Sequence, residues 1–271
     1  MKIEIAGLEE LLQISNSVLC WGPPTTGKTS SLATLAPKYL PLWCFDFDWK
    51  STPLIHLAKE GGWLDKLVIF RYKRTQGRLN QLSTPTRNPQ IFLDFLKDFN
   101  ALQDQVDPQT GLWRPTFTQA PKSIIFDSLT SLGDVVLDFV LATVGHELGA
   151  PGTDARSDFG KQMSKIMEIV KSSKTLPCLS VWVAHEKFIQ DELTGQVRCL
   201  PSATGLLANT LAKEFNVVLY SQVVGAGDKA KYEWLVRPKG WVQAAGTTAR
   251  SSIKDRGELP MTVPQDFQHV L

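Results

Sequence analysis

What this sequence lacks already narrows its class. No stretch approaches the roughly 18 consecutive apolar residues that a membrane-crossing helix requires. The opening segment, Met1 to Gln13, has no basic region followed by an apolar block, so no secretory leader is expected. Charge of one sign is scarce: 29 Lys and Arg stand against 27 Asp and Glu, a net of +2. That excludes a uniformly basic binder of polyanions, and any nucleic-acid contact must come from local patches. The four cysteines, Cys20, Cys44, Cys178 and Cys199, match no zinc or redox spacing. They read as reduced core thiols of a cytoplasmic protein. The four histidines, His56, His146, His185 and His269, are scattered, so no histidine-based metal site is expected. There is no Gly-, Pro- or Ser-rich linker and no internal repeat.

What is present is ordinary for a globular chain: 43% hydrophobic and 21% charged residues. Apolar runs alternate with helix-period segments, the signal of a parallel sheet with crossover helices. Strands are expected at Val18–Trp21, Leu42–Phe47, Leu67–Phe70, Ser123–Phe126, Cys178–Ala184, Asn216–Tyr220 and Tyr232–Val236. Helices are expected from Thr29 to Ala36 and around the stripes of Ile91 to Leu102, Leu132 to Val140 and Phe159 to Val170. The stretches from Asp48 to Lys66, Gly145 to Ser157 and His185 to Pro201 read as irregular. The expected organisation is a lead-in over 1–17, one α/β domain over 18–250 and a tail over 251–271, the tail ordered only at a subunit contact.

One motif carries chemistry. Gly22-Pro23-Pro24-Thr25-Thr26-Gly27-Lys28-Thr29, followed by Ser30, fits G-x-x-x-x-G-K-[ST]. Glycines let the backbone curl so that its N–H groups converge on phosphate oxygens. A following helix start favours negative charge. Lys28 is placed to reach the β- and γ-phosphates of ATP, and the Thr29 hydroxyl to ligate Mg²⁺. Such a site needs a carboxylate for the ion, and Ile124-Ile125-Phe126-Asp127 supplies one at a strand end. Asp127 is therefore the second expected metal residue.

Hydrolysis also needs a group that orients the attacking water. Cys44-Phe45-Asp46-Phe47-Asp48 offers two carboxylates on one face of a strand. Asp48 lies nearer the carboxyl edge, where ligands bind in such sheets, and is the preferred residue. Asp46 is the competitor.

An N-terminal phosphate loop, a strand ending in an acidic residue, the run Ile-Ile-Phe-Asp-Ser and a later strand ending in His185 together resemble a RecA-like P-loop NTPase core. D-F-D, F-D-S-L-T and A-H-E followed by D-E-L-T-G resemble the phage-encoded RecA-like ATPases of the Sak single-strand annealing type. The resemblance implies a mostly parallel central sheet flanked by helices, with late antiparallel strands. It implies an ATP hydrolase that binds single-stranded DNA, assembles with itself as a ring or filament with ATP at the subunit interface, and works beside a single-strand-binding protein. No membrane partner is expected. The resemblance makes Asp48 the water-orienting residue, although it is one methylene shorter than the family's Glu, and His185 the γ-phosphate sensor.

The resemblance also implies DNA-binding loops at Gly145 to Ser157 and His185 to Pro201. Arg156, Lys187, Phe188 and Arg198 are their cationic and aromatic residues, suited to phosphate pairing and base stacking. Arg71, Lys73, Arg74 and Arg78 form a run without acidic residues and are a further candidate for phosphate contact. Arg237, Lys239 and Arg250 are the candidates for a basic finger acting on a neighbour's site. Two readings from other classes remain open on sequence alone: a nucleotide-switched module that recruits a protein partner, and a small-molecule kinase.

Overall fold

The computed structural model describes residues 17–36, 38–72, 88–145, 155–190, 195, 197–205, 207–237, 239–240, 242, 246–247 and 261–271. Strand β1 (Ser17–Gly22) is followed by a single α-turn, α1 (Lys28–Ser31), which tightens into a 3₁₀ turn, Leu32–Leu35. The expected helix from Thr29 to Ala36 is thus two short coils. β2 (Leu42–Asp46), α2 (Thr52–Glu60), β3 (Leu67–Arg71) and α3 (Gln90–Gln103) follow. Then come β4 (Ser123–Asp127), α4 (Leu129–Val144) and α5 (Ala155–Ser173). The last part contains β5 (Leu179–Gln190), β6 (Val197–Pro201), α6 (Leu207–Thr210), β7 (Val217–Val224), β8 (Lys231–Leu235), β9 (Gly246–Thr247) and β10 (Thr262–Pro264).

The central path of the sheet runs β10-β8-β7-β1-β5-β4-β2-β3, with β6 on β5 and β9 on β7. From β3 through β7 the neighbours on that path are parallel, and β8, β9 and β10 add antiparallel pairs. β5 lies between the phosphate-loop strand β1 and the carboxylate strand β4. This α/β arrangement is the expected RecA-like P-loop core.

Strand alternation sends residues to opposite faces, and each face has its own core. On one side Leu19, Trp21, Phe45, Phe126 and Trp182 pack under α3, α4 and α5. In-register pairing lines up Phe70, Phe45, Phe126 and Trp182 across four strands. The Phe126 and Trp182 rings stack at 3.9 Å between centroids. On the other side Val18, Cys20, Cys44, Ile125 and Val183 pack with the 3₁₀ turn Leu32–Leu35, α2 and residues 263–270. All four cysteines are buried free thiols.

The structure corrects several expectations. Asp48 to Lys66 holds α2, a helix with proline in its first turn, where the fixed backbone angle of proline suits a helix start. β5 does not end at Ala184. It continues through His185 to Gln190 and pairs antiparallel with β6, so the expected loop from His185 to Pro201 is largely a hairpin. Alternation read as ending at the polar residues missed this, because the outer half of the hairpin is exposed and only Cys199 to Pro201 of β6 are buried. The tail is not separate either. β10 pairs with β8, and Phe267 is buried against Trp234. Ser17 belongs to β1 rather than to a lead-in, and residues 1–16 lie outside the described residues.

Candidate active site

The phosphate loop leaves β1 at Gly22 and closes into α1 at Gly27. Both glycines are required. Gly22 has φ +146°, and a Cβ there would lie 2.6 Å from the Ser221 carbonyl oxygen. Gly27 has φ +79°, and a Cβ would meet Gln265 at 2.8 Å. Left-handed backbone of this kind strains any side chain. The Lys28 ammonium curls back and donates to the carbonyls of Gly22, at 2.9 Å, and Pro23. Burial draws its pKa down to about 8, against the opposing pull of Asp127, Glu186 and Asp48.

β4 carries Asp127 to the same edge. Thr29 Oγ1 donates to Asp127 Oδ2 at 2.9 Å, so the two expected metal residues are in contact. Asp127 is 2% exposed. Burial first, then the Asp48 charge, raises its pKa to about 7 despite the Thr29 hydrogen bond.

Asp46 and Asp48 share a face but do different work. Asp46 is fully buried and accepts the backbone N–H groups of Lys50, at 3.3 Å, and Ser51, at 3.2 Å. It pins the turn in which Trp49 takes φ +58°. Asp48 lines the cavity. Its Oδ1 accepts from Ser128 Oγ at 3.1 Å, and its Oδ2 lies 3.4 Å from His185 Nε2. Burial raises the Asp48 carboxyl, but hydrogen bonds from His185, Ser131 and Ser128 outweigh it and leave the pKa below the ordinary range. Two neighbouring carboxylates are therefore pushed apart, Asp48 ionised and Asp127 poised near neutrality, a pattern typical of reactive sites.

These groups line one cavity of about 1170 Å³. Lys28, Thr29, Asp48, Asp127 and His185 all face it. Residues with no motif supply part of its wall, among them Thr34, Lys50, Tyr232 and Thr262 to Asp266. Ser128 and Ser131, which hold Asp48, also carry no recognisable spacing. Only the F-D-S run hinted at Ser128.

The remaining candidates are dispersed. Arg71 ends β3, its guanidinium over the Trp49 ring at 5.7 Å and its Nη2 3.4 Å from Ser51 Oγ. Lys73, Arg74 and Arg78 lie outside the described residues. Arg156 is exposed at the start of α5. Lys187 does not point into solvent, because its ammonium donates to the Ala203 carbonyl. Phe188 is 57% exposed on the β5–β6 hairpin, and Arg198 is exposed across from Ile189. Arg237 and Lys239 follow β8 at its far end and do not line the cavity. Arg250 lies outside the described residues.

An Mg²⁺ ion fits the donor set. Among the described residues no group of three or more His, Cys, Asp or Glu side chains could hold a metal. Thr29 and Asp127 leave room for phosphate oxygens and water, the ligands that Mg²⁺ retains.

No protein-family model matches the chain, and no curated protein matches it. Among solved structures, a KaiC-like protein from the archaeon Pyrococcus horikoshii is similar at 13% identity, covering 83% of this chain and 80% of that one, with a TM-score of 0.43. The flagellar accessory protein FlaH from Methanocaldococcus jannaschii is similar at 10% identity, covering 86% and 81%, with a TM-score of 0.37. What defines the chain is its own fold and sequence: a phosphate-loop motif at the carboxyl edge of a RecA-like α/β sheet.

Proposed function

We propose that this protein is an Mg²⁺-dependent ATPase that binds single-stranded DNA and promotes strand annealing in homologous recombination. One observation carries the catalytic half. Lys28, Thr29, Asp48, Asp127 and His185, carried on or just after four separate strands, converge on one cavity. Thr29 and Asp127 hold Mg²⁺, which when bound neutralises charge on the β- and γ-phosphates. Lys28 exchanges the loop carbonyls for phosphate oxygens. Asp48, kept ionised by His185 and two serines, accepts a hydrogen bond from the attacking water. His185 touches Asp48 and lies on the strand that becomes the hairpin, so its position links the cavity to Phe188 and Arg198.

The DNA half rests on the Sak-type resemblance and on that hairpin, where an exposed ring and a cation suit base stacking and phosphate pairing. The phage setting, a place in the host cytoplasm, self-assembly with ATP between subunits and a finger from Arg237, Lys239 or Arg250 rest on the resemblance. No described helix is long and apolar enough to cross a membrane.

A second reading, a nucleotide-switched module that recruits a protein, is favoured by the exposed apolar surface of Phe188, Ile189 and Val197 on the same hairpin. Salt separates the two. A DNA-binding hairpin gives affinity for a labelled single strand that falls with log[salt], at a slope of about −0.7 per phosphate contact. Phe188→Ala weakens that binding by roughly 1–3 kcal/mol for a stacked base. Affinity that is negligible at every salt concentration, or untouched by Phe188→Ala, refutes the DNA role of the hairpin.

A further inference from the structure

The phosphate loop does not stand alone on β1. Ser221, fully buried on β7, touches both of its ends. Its backbone carbonyl packs where a Gly22 side chain would be, and its hydroxyl donates to the Thr26 carbonyl at 3.0 Å. That hydroxyl also accepts from Gln265 Nε2 at 2.6 Å. Gln265 follows β10, forty-four residues along the chain from Ser221. Its other amide atom, Oε1, occupies the space beside Gly27, and the Tyr232 ring lies next to it. The relay runs in one direction: amide N–H to serine oxygen, serine O–H to loop carbonyl. Ser221 has one proton, which is committed to Thr26, so the site opposite must be a donor. An amide meets that need.

The segment bearing Gln265 is itself anchored. Its backbone pairs with β8, the Phe267 N–H donates to Thr34 Oγ1 at 2.9 Å, and Phe267 and Val263 are buried. Thr34 also lines the cavity. The last residues therefore bridge the β7–β8 hairpin, the phosphate loop and the coil that follows it.

We infer that Gln265, acting through Ser221, is a positioning residue that preorganises the phosphate loop. Nucleotide binding and docking of residues 262–268 are then linked, each favouring the other. The inference rests on the P-loop reading and deepens it. It makes the C-terminal segment part of the nucleotide site.

The test is a double-mutant cycle on Mg²⁺·ATP affinity, measured by titration calorimetry with Gln265→Met, Ser221→Ala and the pair. Methionine keeps the length of glutamine and removes the donor. Gln265→Met weakens binding roughly 3–10-fold, the range of one lost hydrogen bond. In the Ser221→Ala background the same change costs nothing further, because the relay is already cut. The melting temperature without nucleotide separates positioning from folding and stays close to wild type in Gln265→Met. ATP slows amide exchange of residues 262–268 in the wild type and does so less in Gln265→Met. Wild-type affinity in Gln265→Met, or an undiminished loss in the Ser221→Ala background, overturns the relay while the P-loop reading stands. A wild-type protein that does not bind Mg²⁺·ATP overturns both.

Discussion

Replacing Asp48 with Asn is expected to lower kcat for ATP hydrolysis by roughly 10²–10⁴-fold, the span of a lost general base, with ATP affinity little changed. The asparagine amide occupies nearly the same volume. It keeps an oxygen for Ser128 but loses the charge that His185 and the two serines stabilise. A neutral amide cannot accept the water's proton. Because Asp48 holds no phosphate in this account, binding survives and the loss falls on kcat, as for an interaction made only in the transition state. His185→Ala costs less on the same scale. It removes the group 3.4 Å from Asp48 and lets the carboxyl rise toward its ordinary range. Equal loss of affinity and kcat in Asp48→Asn would place this carboxylate in binding instead.

Asp127→Asn is expected to be inactive and yet more stable than the wild type at pH 8 without nucleotide. The folded protein holds the Asp127 carboxyl at a pKa of about 7, pushed up chiefly by burial. In the unfolded chain it titrates near an ordinary value of about 3.9. Between those values the folded state retains a proton that the unfolded state has released, so this group's contribution to stability falls as pH rises from about 4 to about 7. Above about 7 both states are ionised and the full penalty remains. Asparagine never carries that charge. The variant gains about 4 kcal/mol at pH 8, or roughly 8 °C in melting temperature for a chain of this size, and the gap closes toward pH 4. The same titration weakens Mg²⁺ capture below about pH 7, where the ion must displace a proton. Thermal unfolding from pH 4 to pH 8 measures the effect. A variant less stable than the wild type at pH 8 contradicts the buried-charge account. In this account the site keeps a destabilising charge that a bound Mg²⁺ would relieve.

The groups assigned to phosphate and metal were legible because such a site fixes their spacing. Gly22 to Thr29 forms a loop only in that order, and Asp127 ends an apolar strand at the edge where the loop sits. The choice between Asp46 and Asp48 could not be made from alternation, which puts both on one face. Backbone N–H groups favour Asp48, since Lys50 and Ser51 consume Asp46 as a turn anchor. The hairpin beyond His185 was hidden because its outer residues are exposed and answer to each other rather than to a core. Gln265 and Ser221 carried no signal for a different reason. A relay between residues distant in sequence exists only once β7 and β10 have taken their places in the sheet. Short elements such as α2 escaped because one buried stripe of Leu54 and Ala58 is too brief to show a period.

The central claim is that one cavity hydrolyses ATP and that single-stranded DNA engages the same protein. Steady-state ATP hydrolysis with Mg²⁺, measured with and without single-stranded DNA in the wild type and in Lys28→Ala, tests it most directly. The account predicts slow turnover alone, strong stimulation by the single strand, and neither in Lys28→Ala. Hydrolysis that ignores DNA, or that survives in Lys28→Ala, would contradict it.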